Sequence, residues 1–171
     1  MTKFADQLKM NTNRARSYCI AHAACETLLG IDKPKILDLG CHCGDTVRDI
    51  QRIIPSAGIT GVDSQNFRSK LVLPMRFIHS EVVKFVKENT YQYDLVVCAW
   101  ILVHLPIQED DPFWGWLSET GKYLLTYENE VQQGRDLEKI MGSYMIQIRH
   151  DTFEVMGQVY EMRVFQKDDL A

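Results

Sequence analysis

A membrane-crossing helix needs about eighteen consecutive apolar residues, and no such run occurs in this 171-residue sequence. The opening residues Met1-Thr-Lys-Phe-Ala-Asp-Gln lack the continuous apolar core of a secretory signal, so a cytoplasmic protein without a membrane partner is expected. Positive charge is also short. Nineteen Lys and Arg stand against 23 Asp and Glu, a net charge of -4, so no global field draws in a nucleic-acid backbone. The five cysteines are an odd set without a Cys-x-x-Cys clip, and reduced thiols are expected in place of a disulfide framework. Cys41-His42-Cys43, with His79, Cys98 and His104 elsewhere, does not make the paired clips of a structural zinc site, and no metal is expected. Repeats, low-complexity tracts and linker-like stretches are absent as well. With 46% hydrophobic and 25% charged residues, one globular domain over residues 1–171 follows, its residues 1–30 forming a helical lid or cap.

What is present alternates between helix and strand periodicity. Ala21, Ala24, Cys25, Leu28 and Leu29 recur as the stripe of an amphipathic helix stopped by Gly30 and Pro34. Lys35 to Leu39 reads as a strand. Asp45 or Thr46 can cap a helix that buries Val47, Ile50, Ile53 and Ile54 and ends at Pro55. Ile59 to Val62 and Met75 to His79 are further strands, with Val82, Phe85 and Val86 on a brief helix between the second of them and the next. Tyr93 to Trp100 is nearly continuous apolar text, the pattern of a central parallel strand covered on both faces. A short helix anchored by Phe113, Trp116 and Leu117, a strand from Lys122 to Tyr127 and a helix with Leu137, Ile140 and Met141 come next. Tyr144 to Arg149 and Val159 to Gln166 have no helical pattern between them and should pair antiparallel as an edge hairpin.

Two features carry chemistry. Lys35-Ile-Leu-Asp-Leu-Gly-Cys-His-Cys-Gly-Asp45 is an apolar strand running into a glycine turn, and Ile59-Thr-Gly-Val-Asp63 is a second strand tipped by an acid. A turn that lets backbone approach a ligand, one helix, and a carboxylate for ribose hydroxyls is the order used by nucleoside-cofactor binders. A nicotinamide site would want Gly-x-Gly-x-x-Gly, and Gly40-Cys-His-Cys-Gly-Asp fails at both later glycines.

With Tyr93-Asp-Leu-Val-Val97 and the Trp100-Ile-Leu-Val-His-Leu-Pro106 segment following in order, the chain resembles the class I S-adenosylmethionine-dependent methyltransferases from about Ile36 to Gln166. His42 stands where that family often has the middle glycine of its first motif. The resemblance implies an α/β, Rossmann-like fold: a mostly parallel seven-stranded sheet with helices on both faces and an antiparallel C-terminal edge hairpin. It implies S-adenosylmethionine as cofactor and S-adenosylhomocysteine as product. Asp38 would receive the cofactor's ammonium, and the main chain of Gly40, Cys41, His42 and Gly44 would face its methionine portion. Asp63 would hold the ribose. Adenine would lie between His79, Ser80 and Glu81 on one side and Ser64 and Gln65 on the other. Cys98 and Trp100 would lie beneath the methionine and at the rim of the acceptor pocket.

Methyl transfer requires chiefly alignment of the acceptor atom with the methyl carbon. A base is needed only for a protonated hydroxyl or amine, and the resemblance places His104 for that task. The acids Glu109, Asp110 and Asp111 beside Phe113 and Trp114 suit a cationic substrate, Tyr127, Glu128 and Glu130 follow the fifth strand at the same sheet edge, and Arg14 or Arg16 would meet an anionic acceptor from the N-terminal lid. After the fourth strand the text is Cys98-Ala-Trp-Ile, without the Asn/Asp-Pro-Pro-Tyr/Phe signature of nucleobase amino-methyltransferases. The expected acceptor is therefore a small molecule, a sugar or other metabolite, its site completed by a homodimer or a protein partner. The alternative reading is a non-catalytic binding or regulatory module on the same fold, motivated by His42 and the small size.

Overall fold

The computed structural model describes residues 12–129, 136–155 and 158–168, with the side chains of residues 12–15 and of Val155 excepted. Glu130, the side chain of Arg14 and the N-terminal stretch through Asn11 thus lie outside the described residues. Among those described, no helix is long and apolar enough to cross a membrane.

Helix α1 (Thr12–Thr27) leads into β1 (Lys35–Leu39), α2 (Asp45–Ile53), β2 (Gly58–Asp63), β3 (Arg76–His79), α3 (Val82–Glu88), β4 (Tyr93–Ala99), α4 (Phe113–Thr120), β5 (Gly121–Glu128), α5 (Leu137–Met141), β6 (Met145–Val155) and β7 (Gln158–Lys167). The seven strands form one sheet in the order β3-β2-β1-β4-β5-β7-β6. The first five are parallel, while β7 runs antiparallel to both β5 and β6. This is the expected mostly parallel sheet with its antiparallel terminal hairpin. β7 inserts between β5 and β6, which leaves β6 at the edge.

Alternation along the strands sends consecutive side chains to opposite faces. Ile36, Leu95 and Val97 pack with Ile20, Ala24, Val47 and Ile50 from α1 and α2. Leu37, Leu39, Val96 and Cys98 pack with Val82, Val86, Phe113, Leu117 and Leu137 from α3, α4 and α5. Both faces are covered, which accounts for the nearly continuous apolar text of β4.

Three local expectations are corrected. α1 ends at Thr27, so Leu29 falls in a turn and is 79% exposed, and Ile20 and Ala23 take the buried places. Ile53, on the last turn of α2, is 59% exposed. The cap of α2 is neither Asp45 nor Thr46: Gly44 occupies the position in a left-handed conformation, with φ 91°. A side chain cannot easily adopt that backbone, which gives this glycine a specific structural role.

Candidate functional site

The carboxyl ends of β1, β2, β3 and β4 meet at one edge of the sheet, and strand order reverses between β1 and β4, the place where open α/β sheets form their ligand crevice. The turn after β1 is fixed to the end of β2 by backbone hydrogen bonds. The Gly40 and Cys41 N–H groups both donate to the Val62 carbonyl, at 2.8 and 3.1 Å. Gly40, His42 and Gly44 have φ values of 71°, 47° and 91°. His42 therefore holds, without being glycine, the left-handed conformation that a middle glycine would supply, and histidine is among the side chains that enter this region most readily. Its N–H donates to Asp63 Oδ2 at 2.9 Å, and its ring lies 4.0 Å from that of Phe67. The other carboxylate oxygen of Asp63 accepts from Gln65 N–H at 2.8 Å. Each oxygen keeps a second lone pair for an incoming hydroxyl.

A cavity of about 650 Å³ opens beside this turn, and Gly40, Asp63, Ser64, Glu81 and His104 are all on its wall. Its apolar side is given by Val82, Ile101 and Ile107. Ile101 closes so tightly over Gly40 that a Cβ there would come within 2.7 Å of the Ile101 side chain. Ser80 and His79 brace the wall: Ser80 N–H donates to the Asp63 carbonyl at 3.0 Å, and His79 Nε2 meets the Ser64 carbonyl at 2.8 Å. Cys41 and Cys98 are 2% and 0% exposed, so both thiols belong to the interior and only their main chain can face a ligand. Burial raises the thiol pKa of both, and they stay protonated.

Asp38 stands apart from these groups. It is 1% exposed, and among the described residues its Oδ2 has no hydrogen-bond partner. Burial pushes its carboxyl up to about 8; Arg16 on α1 opposes the shift and Asp63 adds to it. Arg16 is half-buried, and its Nε is likewise unpartnered among the described residues. A buried acid and a half-buried guanidinium, each with one atom unpartnered among the described residues, fit an incoming group with an ammonium and a carboxylate.

The β5 end corrects several pocket assignments. Glu128 is fully buried and its Oε1 accepts from the Ile101 and Leu102 N–H groups at 3.1 and 3.0 Å, so it fastens the segment after β4 to β5 and does not line a pocket. Tyr127 is buried in stacked contact with Tyr160, ring centroids 5.4 Å apart. Phe113 and Trp114 are 0% exposed and belong to the core. Of the neighbouring acids, Asp111 reaches the cavity wall. Trp100 has φ 59°, an outlier for a bulky residue; its N–H donates to the Tyr127 carbonyl at 2.9 Å and its ring meets Tyr160 edge-on at 5.7 Å. Glu128's role has no local sequence signal, because its partners are 26 and 27 residues away in the chain.

No protein-family model matches the chain, and no curated protein matches it in sequence. Solved structures do match. Magnesium protoporphyrin IX methyltransferase from Synechocystis PCC 6803 with bound S-adenosylmethionine superposes with a TM-score of 0.70 at 13% identity, over 94% of this chain and 86% of that one. The plantazolicin methyltransferase BpumL in complex with S-adenosylhomocysteine gives 0.69 at 14%, over 92% and 86%. A Listeria monocytogenes protein assigned to the class I S-adenosylmethionine-dependent methyltransferases gives 0.70 at 11%, over 96% and 64%. The chain therefore has the class I methyltransferase fold.

Proposed function

We propose that this methyltransferase-fold chain binds S-adenosylmethionine at the β1–β4 crevice and transfers its methyl group to a small-molecule acceptor, a sugar or other metabolite. One observation carries the reading: Asp63 stands on the cavity wall at the tip of β2 while Asp38, buried behind the adjoining turn, keeps an oxygen without a partner among the described residues. When bound, the cofactor supplies a methyl group on a sulfonium, already activated for displacement. The chain's part is to bind and align. Asp63 accepts the ribose hydroxyls, Asp38 takes the ammonium, and Arg16 takes the carboxylate. Ser64, Glu81, Val82 and Ile101 enclose adenine. The first turns of α1, where Ser17 Oγ donates to the Asp45 carbonyl at 3.5 Å, form the lid over the methionine portion.

His104 is the base in this proposal when the acceptor carries a proton. It shares its wall with Ser64 and Glu81, so its substitution separates two roles. His104→Gln lowers kcat and flattens its pH profile with cofactor Kd unchanged if the ring removes a proton. A ring that only packs on adenine raises Kd and leaves the pH profile alone.

Calorimetric titration with S-adenosylmethionine and S-adenosylhomocysteine tests the cofactor site. Micromolar binding, about -8 kcal/mol, is expected for the chain. Asp63→Ala removes two charge-assisted hydrogen bonds at about 1.5 kcal/mol or more each, so Kd rises about a hundredfold or beyond. An unchanged Kd in the variant overturns the assignment. Absence of binding by the parent chain overturns the enzymatic reading and leaves a scaffold.

A further inference from the structure

The turn between β1 and α2 brings together three side chains that methyl transfer does not use. His42 Nδ1 lies 3.0 Å from Cys43 Sγ, and Cys43 Sγ lies 3.3 Å from Asp45 Oδ2. The imidazole, thiol and carboxylate ligand atoms all fall within 4.8 Å of one another. We propose that His42, Cys43 and Asp45 bind a thiophilic divalent cation of the zinc type, on the solvent side of the turn.

Cysteine and histidine spacing alone does not make a clip here, and the fold adds the Asp45 carboxylate as a third donor. Bond lengths of about 2.0–2.3 Å from zinc to nitrogen, oxygen and sulfur, with tetrahedral angles, place neighbouring ligand atoms about 3.5 Å apart. The two contacts through Cys43 are a few tenths of an ångström tighter than that, while the ligand atoms together span up to 4.8 Å, so a cation loosens the contacts to sulfur and draws His42 and Asp45 toward each other. The set is also preorganised. His42 is held in its left-handed conformation by Asp63, its ring packs on Phe67, and the second oxygen of Asp45 takes Arg48 at 2.7 Å. Outer partners of this kind orient a ligating carboxylate.

Accessibility and chemistry agree. His42 is exposed and Cys43 and Asp45 are half-buried, so an ion enters from solvent and keeps water in its remaining position. Cys41, two residues before Cys43, is enclosed in the core and takes no part. Thiolate with imidazole selects zinc, cobalt or cadmium over magnesium and calcium, which take all-oxygen shells. The Cys43 thiol donates to Asp45 Oδ2, and a cation takes the place of that proton, which leaves to solvent. None of the three lines the cavity beside Gly40 and Asp63. The ligand set is therefore tested in the absence of cofactor, although the His42 N–H also donates to Asp63.

Cobalt(II) titration of the chelator-treated protein, kept reduced with a phosphine, tests this. One equivalent is expected to give a near-ultraviolet sulfur-to-cobalt charge-transfer band with the strong visible bands of a tetrahedral ion, and zinc removes both. Cys43→Ser abolishes the charge-transfer band. Asp45→Asn keeps the band and weakens binding by more than about tenfold, since loss of even an outer partner of a ligand costs that much. Cys25→Ser, on α1 and away from the turn, leaves the titration unchanged. Thermal unfolding of each variant establishes that the loss reports a ligand and not a lost fold. A titration without the charge-transfer band at one equivalent overturns the proposal, as does a band that survives Cys43→Ser in the folded variant.

Discussion

Two ionisable side chains lie almost equally deep in this molecule and are treated in opposite ways. Arg163, on β7 in the antiparallel half, is 5% exposed and donates to Glu138, at 3.0 Å, to Gln147, at 2.8 Å, and to Glu161. Asp38, on β1 in the parallel half, is 1% exposed and has an oxygen with no partner among the described residues. A buried charge surrounded by donors or acceptors has its desolvation offset inside the fold. One left short of partners makes the fold less stable than it need be, unless a ligand completes the set. The strained backbone follows the same division. Gly40, His42, Gly44 and Trp100, all with positive φ, sit at the carboxyl edge beside Asp38, two more, Gly30 and Lys33, shape the turn that enters β1, and β5, β6 and β7 have none among the described residues. Departures from local rules that cluster in this manner mark a site, while a satisfied network marks a frame.

The sharpest way to break this contrast is at the frame. Arg163→Met strands Glu161, which also meets His150 at 3.1 Å, inside the hairpin. The expected destabilisation is about 3 kcal/mol, the lower end of the cost of orphaning one member of a buried pair, because Glu138 reaches solvent. Urea unfolding measures it. Cofactor affinity, measured where the variant remains folded, should stay within about twofold, as for sites that share no partners. A large loss of affinity in folded protein would mean that the hairpin half is not merely a frame.

The legibility of the sequence divides along similar lines. All five parallel strands are legible from short apolar runs bounded by turn residues, a pattern that depends only on neighbours in the chain. Gly40 and Asp63 were legible for the same reason: motif, helix and acid are local. Leu29 and Ile53 lie off the buried faces expected of them, because helical periodicity gives a face but not the residue at which the helix stops. The cap of α2 is not legible in the sequence because Gly44 works through φ, with no side-chain signal. Glu128, Arg16 and the alignment of Asp45 with Cys43 needed the fold. Glu128 reaches a loop far back in the chain, Arg16 comes from the preceding helix, and the thiol meets Asp45 only because the turn is left-handed. Trp100, expected at the rim of the acceptor pocket, carries a positive φ that no composition rule expresses.

A smaller effect sharpens the contrast from the other side. Asp38 has a folded-state pKa of about 8, raised from 3.8 chiefly by burial. Between those values the folded protein binds more protons than the unfolded chain. Its contribution to stability is therefore intact below about pH 4, falls as pH rises, and is fully lost above about pH 8. Asp38→Asn keeps the shape and removes the ionisation, so its stability should be flatter over that window and should exceed the parent's at pH 8 and above. Urea midpoints across pH measure the difference. Cofactor binding should move the opposite way. Only the ionised carboxyl can pair with an ammonium, so the parent's advantage in affinity over Asp38→Asn should grow with pH through the same window. A variant that gains stability at high pH and loses affinity there identifies Asp38 as a charge held for a ligand. If Asp38→Asn instead loses stability at high pH, the carboxylate has a protein partner and belongs with Arg163 as part of the frame.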